Sequence, residues 1–265
     1  MNSNNQINNY PPAHHVIFVV LFTIVFVFVV SLIGYIIGGK TGLFLLEGLI
    51  IVPALAYAVY RKYDLKNIFR LRKVNIQIVL ISIFVGFGIS FIADGLDRLF
   101  QLFFPMPEIF EEQLLESFAI HSVSDFVIIV LSAVVFAGIF EEMLFRGFVQ
   151  KTFEKEFSIT QAILVTSFIF GMIHMNPWWL IQISFFGIFL GILAWKSDSI
   201  IPSMIVHFIN NGLSIIFINS VQDNDQLFLY QNNIYIPLII AVCFITFFGF
   251  KLFINICDKS QHGKI

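Results

Sequence analysis

The sequence predicts an all-α, polytopic membrane helix bundle. Three observations carry that prediction. Of 265 residues, 58% are apolar and 12% are charged, whereas ordinary soluble domains carry about 25% charged residues. Mean hydropathy is +0.89. The apolar residues gather into about eight runs of membrane-spanning length, with no strand-like alternation between them.

The elements follow in order. Residues 1–15 form a polar, Asn-rich tail. It has no positive n-region, and no small-residue cleavage pattern follows the first apolar run, so that run is expected to stay as a membrane helix. His14 and His15 read as interfacial residues. Spans are expected at about 16–37, 43–60, 76–93, 126–150, 160–176, 178–195, 200–219 and 235–256. The fourth should continue as a helix to about residue 156. These divide the chain into the tail, an N-terminal membrane region (16–123), a core (124–219) and a last helix with a short tail (220–265).

Positive charge sets orientation. The basic loop 61–73, "RKYDLKNIFRLRK", carries six Lys or Arg and should be cytoplasmic. Counting from it puts Lys151, Lys155, Lys196, Lys251, Lys259 and Lys264 on the same side, twelve of the fifteen basic residues. Both termini are then cytoplasmic. Lys40 and Arg98 fall outside, and Arg146 lies within a span. The segment 94–123 is acidic and includes "PMPEIFEEQLLESFAI", which predicts an interfacial helix on the outer side. Trp178 and Trp179 suit an aromatic belt there. A net charge of -2 gives no reason to expect a nucleic-acid partner. Cys243 and Cys257 have neither zinc-site spacing nor a disulfide context.

Ionisable residues inside spans are costly and usually face a protein interior. Glu47 lies near a predicted span end with no visible partner, and reads as a carboxylate reaching the interface. "FAGIFEEMLFRGFV" is different. Glu142 and Arg146 are four apart, acid before base, and can neutralise each other on one helix face. Glu141 is turned by about 100° on an α-helix and should point elsewhere. Downstream, Phe170 and His174 are four apart, as are His207 and Asn211. Neutral His can serve as base, hydrogen-bond partner or metal ligand, and Asn offers an amide donor to an oxyanion. An unpaired Glu, two intramembrane His and an Asn suggest a hydrolytic centre.

Together the segments Glu141-Glu142-x-x-x-Arg146, Phe170-x-x-x-His174 and His207-x-x-x-Asn211 resemble the signature of the CAAX-processing and bacteriocin-processing protease family, related to the Ras-converting enzyme. The resemblance covers roughly residues 124–219. It implies an intramembrane endopeptidase with Glu141 as general base helped by His174. It also implies oxyanion stabilisation by His207 and Asn211, Glu142 and Arg146 as supports, and Phe170 lining the cavity. Glu141, His174 and His207 also make up the two-His-one-carboxylate set of a catalytic zinc site. Zn2+ is therefore a candidate cofactor but not an obligatory one, because a buried carboxylate with His can activate water alone. The expected partners are membrane lipid and a membrane-associated protein or peptide substrate. The short loops and Asn- and Phe-rich composition lean towards a prokaryotic cell membrane. Counting residues from the predicted helix ends puts His207 about 10 Å, and Glu141 and His174 about 20 Å, from the cytoplasmic surface. A non-catalytic scaffold, regulator or immunity protein of the same family is the rival reading, and a proton-coupled transporter a more distant one.

Overall fold

The computed structural model describes residues 10–45, 47–220, 229–230, 233–234 and 236–262. Lys264 and the first nine residues of the polar tail lie outside the described residues. The chain is an integral membrane protein built as a helical bundle. Among the described residues, six helices are long and apolar enough to cross a membrane: Ala13–Gly38, Ile76–Gln101, Val123–Glu156, Leu180–Ser197, Ile201–Ser220 and Pro237–Ser260. Two shorter apolar helices, Glu47–Tyr60 and Ile159–Met172, occupy the other two expected positions.

Helix α1 (Ala13–Leu45) presents large apolar side chains outward, Phe18, Phe22 and Phe28 among them, as a lipid-facing helix should. The span expected at 43–60 is not one helix. A 3-10 turn, Glu47–Ile51, leads into α2 (Val52–Tyr60). Pro53 stands in the first turn of α2, where its missing N–H costs nothing, and it prevents an uninterrupted ladder from upstream. The break sets Glu47, half-buried, at the start of this turn.

The basic loop holds a short α3 (Leu65–Ile68), capped by the Asp64 side chain. Then α4 (Ile76–Gln101) starts on Asn75, whose carbonyl oxygen accepts from Ile78 N at 2.9 Å. Small residues let its neighbours approach. A methyl on Gly86 would lie 3.4 Å from the Val206 backbone, so α4 packs tightly against α10 (Ile201–Ser220). On another face α4 packs against α11 (Ile236–His262). An exposed helix, α5 (Glu108–Phe118), follows at the opposite end of α4, with Phe110 5.5 Å from Trp178 between ring centroids.

The long helix 123–156 carries the first motif. It begins as α6 (Val123–Ile129), capped by Ser122, and ends as α7 (Gln150–Glu156). Between these it is π-helical over Val130–Glu141 and Met143–Val149. Side-chain donors compete for its carbonyls there. Ser132 Oγ donates to Ile128 O at 2.5 Å and Asn211 Nδ2 to Ala133 O at 2.7 Å. Such insertions widen or bend a helix.

Helix α8 (Ile159–Met172) opens on a Ser158–Gln161 capping box. It stops sooner than the expected 160–176. Pro177 disfavours helix at Asn176, and the Asn176 side chain accepts instead from Trp178 N and Trp179 N. Helix α9 (Leu180–Ser197) ends at Asp198 in the left-handed conformation. Two two-residue strands, Leu229–Tyr230 and Asn233–Ile234, pair between α10 and α11.

Ends that the charge pattern grouped together do meet. Arg70 is buried and bonds to Glu154, to Asp198 Oδ1 and, through Nη1 at 3.0 Å, to the carbonyl of Arg146. Lys151 reaches Asp198 Oδ1 at 2.5 Å, Lys196 reaches Asp258 at 3.2 Å, and Ala13 N reaches Glu156 at 2.7 Å. The basic loop is thus bolted to the end of the motif helix as well as marking a side.

Candidate active site

The site is assembled from the motif helix, α8, α9, α10 and the turn at Glu47. Arg146 is its anchor. It is wholly buried, with Nη1 2.8 Å from Glu142 Oε1. Nη2 donates weakly to Gly187 O at 3.3 Å, and the guanidinium carbon lies 4.1 Å from the centroid of the Phe170 ring. A buried cation needs this much company. One turn on, Gln150 Nε2 donates to Gly191 O at 3.0 Å. Gly187 and Gly191 therefore form a docking strip on α9. A methyl on Gly187 would stand 3.2 Å from Arg146 Nη2 and 3.1 Å from Ser167 Cβ. The sequence signal is a Gly-x-x-x-Gly within an apolar span, which no charge marks out.

The same Glu142 Oε1 lies 3.0 Å from His207 Nδ1. A carboxylate can only accept, so Nδ1 carries the proton and Nε2 of the neutral ring bears a lone pair. Nε2 lies 3.8 Å from Glu141 Oε2, which is buried and has no hydrogen-bond partner. His207 thus reaches both glutamates. α-Helical spacing predicted that Glu141 would diverge from its neighbour. The wider π-helix turns less per residue, so both acids face one imidazole. The 10 Å difference in depth expected between His207 and Glu141 does not keep their side chains apart.

Phe170 is buried and joins the remaining parts. Its ring centroid is 5.9 Å from that of His207, 5.0 Å from His174 and 5.2 Å from Phe145. Phe186 meets His207 from α9 at 5.8 Å. His174 lies beyond the end of α8 on an exposed turn, rather than on the helix itself. It remains tied to Phe170, whose carbonyl accepts from its Nδ1 at 2.8 Å. Among the described contacts no hydrogen bond joins it to Glu141. Asn211 donates to Ala133 O, and its Oδ1 accepts from Asn210 at 3.2 Å.

Glu47 was misjudged from sequence. Its side chain lies within hydrogen-bonding reach of the Glu141 side chain. The signal that would have found it is general: a carboxylate in an apolar run that also holds a Gly and a Pro.

Residues 123–213 match the family model described as type II CAAX prenyl endopeptidase Rce1-like. Over that segment the chain is similar to this CAAX-protease family. The matched segment contains all three motifs and ends two residues after Asn211. No curated protein and no solved structure matches the chain.

As for a metal, no group of three or more His, Cys, Asp or Glu side chains among the described residues is placed to hold an ion. Glu141 and His207 meet, and His174 is joined to His207 through the Phe170 ring, so the three are not gathered around one point.

Proposed function

We propose that the chain is an intramembrane endopeptidase that hydrolyses a peptide bond of a membrane-associated protein or peptide, with Glu141 as general base. One observation carries the reading: the unpartnered Glu141 Oε2 and the lone-paired His207 Nε2 face each other at 3.8 Å. Both can contact a single water. Glu141 takes one proton from it, and Nε2 orients it by accepting the other hydrogen. The water oxygen then adds to the substrate carbonyl carbon. As the tetrahedral species collapses, the C–N bond breaks and the leaving amine takes the proton from Glu141.

Glu142 fixes the His207 ring from behind, as a carboxylate commonly orients a working histidine. Arg146 neutralises Glu142, so the site does not hold two adjacent uncompensated charges. Asn211 retains a second amide hydrogen beyond the one given to Ala133. That hydrogen supplies an oxyanion donor, the role that the family resemblance implies for Asn211. His174, exposed at the turn, stands where substrate can reach it.

The test is a comparison of protein termini in membranes from cells making the wild type and Glu141→Ala. New N-termini that depend on Glu141 are the expected result, and identical sets would sink the reading. We also assign the basic end to the cytoplasm. A fluorescent protein fused after Ile265 should fluoresce, and an active periplasmic phosphatase at the same place would reverse the orientation.

A further inference from the structure

Glu47 is a half-buried carboxyl that the mechanism above does not use. It opens the 3-10 turn Glu47–Ile51, which lies against the motif helix immediately before Glu141. Gly48 makes the approach possible. A methyl there would already stand 3.3 Å from Phe140 and 3.5 Å from Phe136. The turn therefore has a built seat on the helix, and its one charged residue is brought beside Glu141. Two carboxyl groups joined by a hydrogen bond need a donor, and a carboxylate has none, so one of the two is the acid form.

We propose that Glu47 is a positioning residue of the site: its carboxyl hydrogen-bonds that of Glu141 and holds the base towards His207. The helix break between α1 and α2 then has a purpose. An unbroken span would carry Glu47 past Glu141, whereas the turn stops it alongside. Glu47 lies far outside the matched segment 123–213, so the N-terminal region supplies a part of the centre that the three motifs do not contain.

The proposal rests on Glu141 as base, and its test separates the two. Glu47→Leu removes the hydrogen bond and suits an apolar surrounding. Glu47→Gln keeps a donor to Glu141. Each variant is made in cells, and the initial rate of appearance of Glu141-dependent N-termini is followed in isolated membranes. Glu47→Leu should lower that rate about 100-fold, the loss expected from misplacing a reacting group by about 1 Å. Its thermal midpoint in detergent should be unchanged or higher. Glu47→Gln should recover the rate to within about threefold of wild type, a rescue that a merely structural role would not produce.

Wild-type rates in Glu47→Leu, with Glu141→Ala inactive, overturn the positioning role alone. Activity retained in Glu141→Ala overturns the hydrolytic reading beneath it. A double-mutant cycle of thermal stability with Glu47→Leu and Glu141→Leu, each of which removes the hydrogen bond, covers the case in which no cleavage is detected. Non-additive midpoints support the contact, and additive ones remove it.

Discussion

Substituting Arg146 by Met should destabilise the protein more than any loss of a surface ion pair. Met matches the stem of Arg in length and leaves no gross cavity, so the change isolates the guanidinium. Three interactions go. The first is a charge-assisted hydrogen bond to Glu142 Oε1 at 2.8 Å, about 1.5–3 kcal/mol. The second is the contact with the Phe170 face at 4.1 Å, about 2 kcal/mol when desolvated. The third, to Gly187 O at 3.3 Å, is long and adds little. The sum is about 3–5 kcal/mol, the range found when one partner of a buried pair is removed.

Most of that loss comes from Glu142, left buried with His207 as its remaining ring partner. Replacing both, Glu142→Leu with Arg146→Met, should therefore cost less than Arg146→Met alone. Denaturant unfolding in mild detergent, followed by circular dichroism, measures both variants. A loss below about 1 kcal/mol for Arg146→Met would show that the pair is screened by water and that the site is not sealed as described. A double variant weaker than the single would show that Glu142 is held by other contacts.

Further outcomes follow from the same geometry. Gly187→Val places bulk against Arg146, Ser167 and Phe170 and should destabilise by about 1–3 kcal/mol through overpacking, read by the same unfolding assay. Glu141→Gln should eliminate the release of new N-termini without lowering the thermal midpoint, because the amide fills the same space and can still hydrogen-bond Glu47. Asp198, in the loop after α9, feels burial, which raises its pKa. The hydrogen bond from Lys151 and the charges of Lys151, Arg70 and Arg72 outweigh burial and hold it below its ordinary 3.8. A depressed carboxyl stabilises the fold above its unfolded pKa and loses that contribution as pH falls through the folded one. Stability should therefore decline below about pH 4, and Asp198→Asn should flatten that limb in unfolding measured from pH 3 to 7.

The motif residues were legible because ionisable groups are rare in apolar spans. Glu141, Glu142, Arg146 and His207 stand out without any structure, and Glu142 with Arg146 could be paired from i,i+4 spacing alone. Other features needed three dimensions. His174 was expected on a helix, but the Asn176–Pro177 step ends α8 first. The glycines of α9 are visible as letters, yet only packing shows that Arg146 and Gln150 donate to their carbonyls. Arg70 counted merely as one charge in a basic loop, whereas its guanidinium is buried against the end of the motif helix.

Sequence by itself determined that this chain is a membrane helix bundle and where its helices run, because hydrocarbon demands long apolar segments and makes every embedded charge conspicuous. It also brought out the family motifs. Tertiary structure decided which charges meet. A helix wider than α-geometry turned Glu141 and Glu142 towards one histidine, and a helix broken at Glu47 brought a third carboxyl from a distant part of the chain. Spacing along one helix fixes a face, but partners on different helices are fixed only by how the helices pack.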